Sequence, residues 1–162
     1  MTRLLVISDS HGKVDRIYDL LRKHRNEFDV LFHLGDKSYD MLSFLDEAFP
    51  LILVKGNMET VYPEINMVVE WERITEYEGV KLLATHGHRY SAHSTLVFLK
   101  KHAIHLGVNL VLFGHTHEQT SFEENGITYF NPGALQNGHY GMITLSNGKI
   151  TETKLLFLPD RW

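Results

Sequence analysis

Residues 3–11 read RLLVISDSH. The run is short, rich in Leu, Val and Ile, and does not alternate strictly with polar residues. That is how a strand buried on both faces looks. It ends in Asp9 and His11, a carboxylate and an imidazole two residues apart. Four further runs end in the same manner. DVLFHL (29–34) runs into Gly35-Asp36, LILVK (51–55) into Gly56-Asn57, VKLLAT (80–85) into His86-Gly87-His88, and NLVLF (109–113) into Gly114-His115-Thr116-His117. In open α/β sheets, ligands sit outside the carboxyl ends of the strands. If the five strands are parallel neighbours, these polar ends converge on one rim.

Helical patterns lie between the runs. Val14, Ile17, Leu20 and Leu21 share one face over 13–26, and Met41, Leu42 and Leu45 share one over 38–48. Leu96, Leu99, Ala103 and Leu106 form a third stripe over 92–106, with Lys100 and Lys101 turned away. Further on, Asn-Gly turns take over. ENG (124–126) joins QTSFE to ITYF, SNG (146–148) joins YGMITL to KITETKLLFL, and EYEGVK (76–81) reads as another hairpin. The first part is therefore βαβαβ and the last part antiparallel. A layered α/β sandwich of two sheets with helices outside follows, as one domain over 1–162.

The bulk numbers exclude several classes. Hydrophobic residues make up 43% and charged residues 22% of 162 residues, an ordinary globular composition. No apolar stretch reaches the ~20 residues that a membrane span needs. Cysteine is absent, which rules out disulfides and thiolate zinc sites and fits a cytoplasmic location. The net charge is -4 and no Lys/Arg block appears, so a long nucleic acid is not the expected partner. The outlying number is 11 histidines. Histidine is the commonest metal ligand and the natural proton carrier near neutral pH.

Asp9 and His11 stand at i and i+2, as do His115 and His117. In extended backbone such residues point to the same side, and Thr116 becomes a spacer. The donors at the strand ends are two carboxylates, one amide oxygen and four imidazoles: Asp9, Asp36, Asn57, His11, His86, His115 and His117. A mixed O/N set without sulfur suits Mn, Fe, Ni, Co or Zn better than Ca or Mg. Seven side chains are too many for one small ion and suit two ions sharing a carboxylate. Two metals ~3.5–4 Å apart can stabilise both the attacking and the leaving oxygen of a phosphoryl displacement.

DSHG, GDKSYD, GNME, HGH and GHTH, in that order, resemble the calcineurin-like metallophosphoesterases. Within them the chain is most similar to the small bacterial and archaeal phosphodiesterases, whose fold the eukaryotic retromer scaffold subunit shares. The resemblance runs from Asp9 to about Gly133. It implies a four-layer αββα sandwich of two mixed sheets flanked by helices. It implies that Asp9, His11 and His117 hold a first metal, that Asn57, His86 and His115 hold a second, and that Asp36 bridges them. Manganese is the expected ion, with a hydroxide between the metals as nucleophile and a small phosphodiester as substrate. A phosphomonoesterase on the same site and a non-catalytic scaffold are the rival functions. A homo-oligomer, dimer or tetramer, is compatible with the sequence.

The chain departs from the family at two places. Many relatives carry His after the Asn of the third motif, and the small phosphodiesterases often carry Cys. Here Met58 follows Asn57, and a thioether cannot donate a proton. His88, two residues after His86, is then the candidate for contact with the leaving group or phosphate. Small relatives also often show NPGS followed by an arginine, whereas Asn131-Pro132-Gly133 is followed here by Ala134 and no nearby arginine. His139 is a candidate partial substitute, so the expected substrate-binding set is Asn57, His88 and His139. A lost guanidinium clamp weakens recognition of a terminal phosphate more than of a diester.

Plainer roles compete for several residues. Asp9 can cap the helix after it, and Asn57 can be a simple turn residue. Glu59 reads as lying behind the ligands or facing solvent, Asp40 as surface, and His33 as a core histidine near the rim. Solvated helix faces account for most of His24, His93, His102 and His105. Phe98, Trp71 and the tail FLPDRW are interface material.

Overall fold

A computed structural model of the protein describes residues 1–44, 47, 49–57, 69–92 and 94–160. Ten strands form two five-stranded sheets. The first sheet runs in the order β10 (Lys149–Phe157), β9 (His139–Ser146), β1 (Thr2–Ile7), β2 (Val30–His33), β3 (Leu51–Leu53). The second runs β4 (Glu72–Tyr77), β5 (Val80–Thr85), β6 (Leu110–Leu112), β8 (Ile127–Asn131), β7 (Thr120–Glu124).

Both sheets are mixed. β1 pairs parallel with β2 and antiparallel with β9; β6 lies parallel to both β5 and β8. The five apolar runs are therefore not one parallel array. Three build the middle and edge of the first sheet, and two build the middle of the second. Their carboxyl ends still face one another, because the two sheets stack. The three expected hairpins form with turns at Glu78-Gly79, Asn125-Gly126 and Asn147-Gly148.

Side-chain alternation assigns the layers. On β1, Leu4 and Val6 turn to the space between the sheets, where they meet Phe32, Leu82, Leu110, Leu112 and Phe130. Leu5 and Ile7 turn outward onto α1 (Val14–Lys23), through Ile17 and Leu20, and onto Met41 and Phe44. On the second sheet, Leu83, Val111 and Tyr129 turn outward onto Leu99 and Ala103 of α2 (Val97–Leu106). A strand covered on both faces cannot alternate apolar with polar, which is why these runs are uniformly apolar. The result is an αββα order of layers.

The helices depart from their sequence patterns in length and type. α1 and α2 are each 10 residues long, shorter than the windows 13–26 and 92–106. The 38–48 pattern is a 3₁₀ helix over Ser38–Phe44, with Met41 buried and Leu42 41% exposed. Three residues per turn replace 3.6, so the i, i+1 neighbours of the stripe separate. Leu45, the third member of that stripe, lies outside the described residues, as does His93. His24 is buried, because its Nε2 pairs with the Tyr140 hydroxyl at 2.7 Å, and is not on a solvated face. No helix among the described residues is long and apolar enough to cross a membrane.

Candidate metal centre

The rim is built where the chain leaves each strand. The backbone there is not extended: Asp9, His11, Asp36, His115 and His117 all take left-handed conformations, with φ between 46° and 69°. The i, i+2 pairs thus converge by turning and not by strand alternation. Asp, Asn and His tolerate this region best, at a cost of about 1–3 kcal/mol per residue. Such strain collected in one place marks a site whose surroundings overdetermine it.

Backbone bonds tie the turns together. Asp9 N–H donates to Gly35 O at 2.9 Å, linking the ends of β1 and β2. Gly114 N–H donates to His86 O at 3.0 Å, linking the ends of β5 and β6. His115 N–H reaches across the sandwich to Asp9 Oδ2 at 3.3 Å, so the two sheets are joined at the rim.

Two groups of donors result, each with ligand atoms within 4.8 Å of one another. Asp9, His11, Asp36 and His117 form one; Asp36, His86 and His115 form the other. Asp36 belongs to both. His117 Nε2 stands 3.1 Å from Asp9 Oδ1, and His11 Nε2 stands 3.7 Å from Asp9 Oδ1 and 3.9 Å from Asp36 Oδ2. His86 Nε2 stands 3.4 Å from Asp36 Oδ2 and 3.2 Å from His115 Nδ1. The Asn57 amide closes the second group, 3.1 and 3.3 Å from the Asp36 oxygens and 3.2 Å from His86 Nε2.

These groups fit cations. His86 donates Nδ1–H to Leu34 O at 2.8 Å, which leaves a lone pair on Nε2, aimed at the site. His11 Nε2 is buried without a hydrogen-bond partner among the described residues. With its oxygen turned inward, Asn57 faces only acceptors, an arrangement that a cation reconciles. Burial pushes the Asp9 carboxyl up, but contacts with His11 and His117, the nearby His86 and the Ser8 hydroxyl hold it well below the usual carboxylate range. Burial lowers His86, yet the bond to Asp36 and the charges of Asp9 and Asp36 raise it overall. The bond to Asp9 raises His117.

His88 sits beside the second group, its ring 5.5 Å from that of His86 and 6.2 Å from that of His115. Burial, then the neighbouring His86 and His115, push it down to about 4. It is therefore a neutral imidazole at pH 7. Trp71 is not free interface material: its ring packs 5.2 Å from His88, with Lys55 Nζ and Arg89 Cζ 4.7 and 5.4 Å from its centroid. His139 lies against Phe157 at 6.0 Å and belongs to neither donor group. Met58 and Glu59 lie outside the described residues. Asp9 does not cap α1, whose N-cap is Lys13, without a side-chain cap bond.

Several supporting residues were not legible as such. Asp40 is 4% exposed and accepts from Ser10 and Gly12; it is not a surface residue. Thr116 is more than a spacer: its Oγ1 accepts from Asn131 Nδ2 at 2.9 Å and from Glu118 N–H at 3.1 Å. Asn131 also donates to Gly114 O at 3.1 Å, so it braces the His115–His117 turn. An Asn directly after the apolar run ITYF is the one sequence signal for such a brace.

A calcineurin-like phosphoesterase superfamily domain matches residues 2–148. The chain belongs to this superfamily. It is 29% identical over 154 residues to the protein named "Probable metallophosphoesterase YsnB" of Bacillus subtilis (strain 168), covering 91% of this chain and 87% of that one. Among solved structures, an archaeal phosphodiesterase superposes with a TM-score of 0.74 at 21% identity, covering 96% of this chain and 99% of the other. Wild-type Vps29 of Entamoeba histolytica, solved with zinc, superposes with a TM-score of 0.71 at 19% identity, covering 96% and 98%. At such identities the two structures speak for the shared fold alone. The family implies divalent metal ions, and among the described residues the two donor groups are candidates to hold them.

Proposed function

We propose that this phosphoesterase is a dinuclear phosphodiesterase acting on small phosphodiesters. The observation that carries it is the pair of donor groups sharing Asp36. Asp9, His11 and His117 hold one cation, Asn57, His86 and His115 hold the other, and Asp36 bridges. The O/N donor set fits manganese, with Fe, Ni, Co or Zn as substitutes. When bound, two such cations attract the phosphate oxygens and make water a competent nucleophile at neutral pH.

The chain's own residues do the rest. Asn57 contributes an uncharged oxygen, so the site keeps more positive charge than a third carboxylate would leave. His88, neutral at pH 7, offers a hydrogen bond to phosphate or leaving group but no imidazolium proton. Activity should therefore be best on esters with good leaving groups. Ala134 is fully buried where relatives often have serine, and a singly charged diester has least need of the missing guanidinium clamp. Comparing turnover of bis(p-nitrophenyl) phosphate and p-nitrophenyl phosphate with added Mn²⁺ tests the choice. Cleavage of the monoester alone would make this a phosphomonoesterase. Failure to retain any metal after Mn²⁺ incubation would favour a scaffold.

The raised histidines also set a pH dependence. In the metal-free protein, His86 and His117 contribute stability fully below the ordinary histidine value of about 6.5. They lose it as pH rises through their raised values. Cations compete with the same protons, so binding strengthens over that window. The melting temperature of the Mn²⁺-loaded protein minus that of the chelated protein should widen from about pH 6 to about pH 8. A constant or narrowing difference by scanning calorimetry would show that these imidazoles are not the ligands.

A further inference from the structure

Behind the first donor group lies a chain of hydrogen bonds that none of the proposed ligands uses. His33 is fully buried, and its Nδ1 accepts from Gly35 N–H at 3.1 Å. That fixes the ring proton on Nε2, which stands 2.8 Å from Ser10 Oγ and donates to it. The Ser10 hydroxyl then donates to Asp40 Oδ2 at 2.7 Å, and the same oxygen accepts from Gly12 N–H at 2.8 Å. The direction of the chain runs from Gly35 to Asp40, with the Lys37 carbonyl a longer, second acceptor for the Ser10 hydroxyl at 3.3 Å.

The placement of its ends matters most. Ser10 and Gly12 flank His11, whose backbone is left-handed. Asp40 thus grips the residues on either side of one proposed ligand. Gly35 precedes Asp36, the carboxylate shared by both groups. The chain therefore registers the His11 turn against the Asp36 turn, from two different strands. A buried carboxylate is costly unless fully bonded, and a surface role would not need it there.

From this geometry we infer that Ser10, His33 and Asp40 form a positioning relay for the first cation site. They touch neither cation nor substrate. The relay holds His11 in its strained turn and sets its distance from Asp36. The second group, built on His86 and His115, has its own support from Leu34 O. Its shared member Asp36 follows a turn that Asp9 N–H also holds through Gly35 O, so loss of Asp40 falls mainly on His11. The inference rests on the two-cation reading for its effect on metal, but not for its effect on the turn.

The test uses Asp40→Ala, Asp40→Asn and Ser10→Ala in the full chain. In the chelated protein, amide exchange at Gly12 should accelerate and the His11 ring signals should broaden in Asp40→Ala, while His115 is unchanged. In calorimetric titration with Mn²⁺, Asp40→Ala should weaken one of two ions by roughly 10–100-fold and leave the other within about twofold, the range typical when a partner behind a ligand is removed. Asp40→Asn, which keeps an acceptor oxygen, should recover most of that loss. Ser10→Ala, a milder change, should weaken the same ion. An unaltered Gly12 amide and His11 ring in Asp40→Ala would overturn the relay. So would equal weakening of both ions in variants that melt like the wild type. A wild type that takes up a single ion would instead overturn the two-cation reading, while the exchange and ring signals still judge the relay.

Discussion

Asp36→Ala should abolish binding of both cations and lower turnover of bis(p-nitrophenyl) phosphate by on the order of 10³-fold or more. The size follows from what a bound metal supplies, several kcal/mol of transition-state stabilisation, with each 1.36 kcal/mol worth tenfold in rate. Among the described residues no other donor belongs to both groups. His115→Ala and His117→Ala supply the contrast. Each removes a donor from a different group, so each should deplete a different ion while the other remains. Metal content by elemental analysis, read beside turnover, separates the three variants. Retention of two ions in Asp36→Ala would remove the bridge from the mechanism.

The same variant has a consequence without metal. Asp36 is the strongest influence raising His86 above its ordinary value. Removing it leaves burial, which favours the neutral ring, opposed only by the Asp9 charge and the bond to Leu34 O. The chelated Asp36→Ala protein should therefore show His86 titrating lower than in the wild type by NMR. An unshifted His86 would mean that the two side chains are not in contact.

The site was legible wherever chemistry and strand ends coincide. Runs such as RLLVIS and NLVLF announce buried strands by uniform apolarity, and Asp9, His11, His115 and His117 follow at once. What single-sequence periodicity cannot see is the partition between sheets. β6 pairs parallel with β8, and that pairing is made by backbone groups that are the same in every strand. The convergence of Asp9 with His11 follows a different geometry from strand alternation, because left-handed φ values have no period. Asp40 and His24 look solvent-facing in sequence because their partners, Ser10 and Tyr140, lie 30 and 116 residues away. Charge and helical position are poor guides when a distant hydroxyl fills the bond.

Gly114→Ala should damage the site although it changes no donor. A Cβ on Gly114 would collide with Ser8 Oγ and lie 3.0 Å from both Ser8 Cβ and Asp9 Oδ2. Ser8 and Asp9 are both fully buried, so neither can swing into solvent. Rotating the hydroxyl relieves only part of the overlap, because Ser8 Cβ stays in place. The two sheets must then part at the rim, stretching the His115 N–H to Asp9 Oδ2 bond. Overpacking of this kind costs about 1–3 kcal/mol, which denaturant unfolding would register as a lower midpoint with an unchanged slope. The functional loss should exceed the loss of stability, since Asp9 belongs to the first donor group and would be displaced from His117. Ser8→Gly placed on top of Gly114→Ala removes both the hydroxyl and the Cβ that obstruct the new methyl. Recovery of Mn²⁺ binding in the double variant beyond the sum of the single effects would show that the collision is the cause. Strict additivity would place the damage elsewhere in the turn.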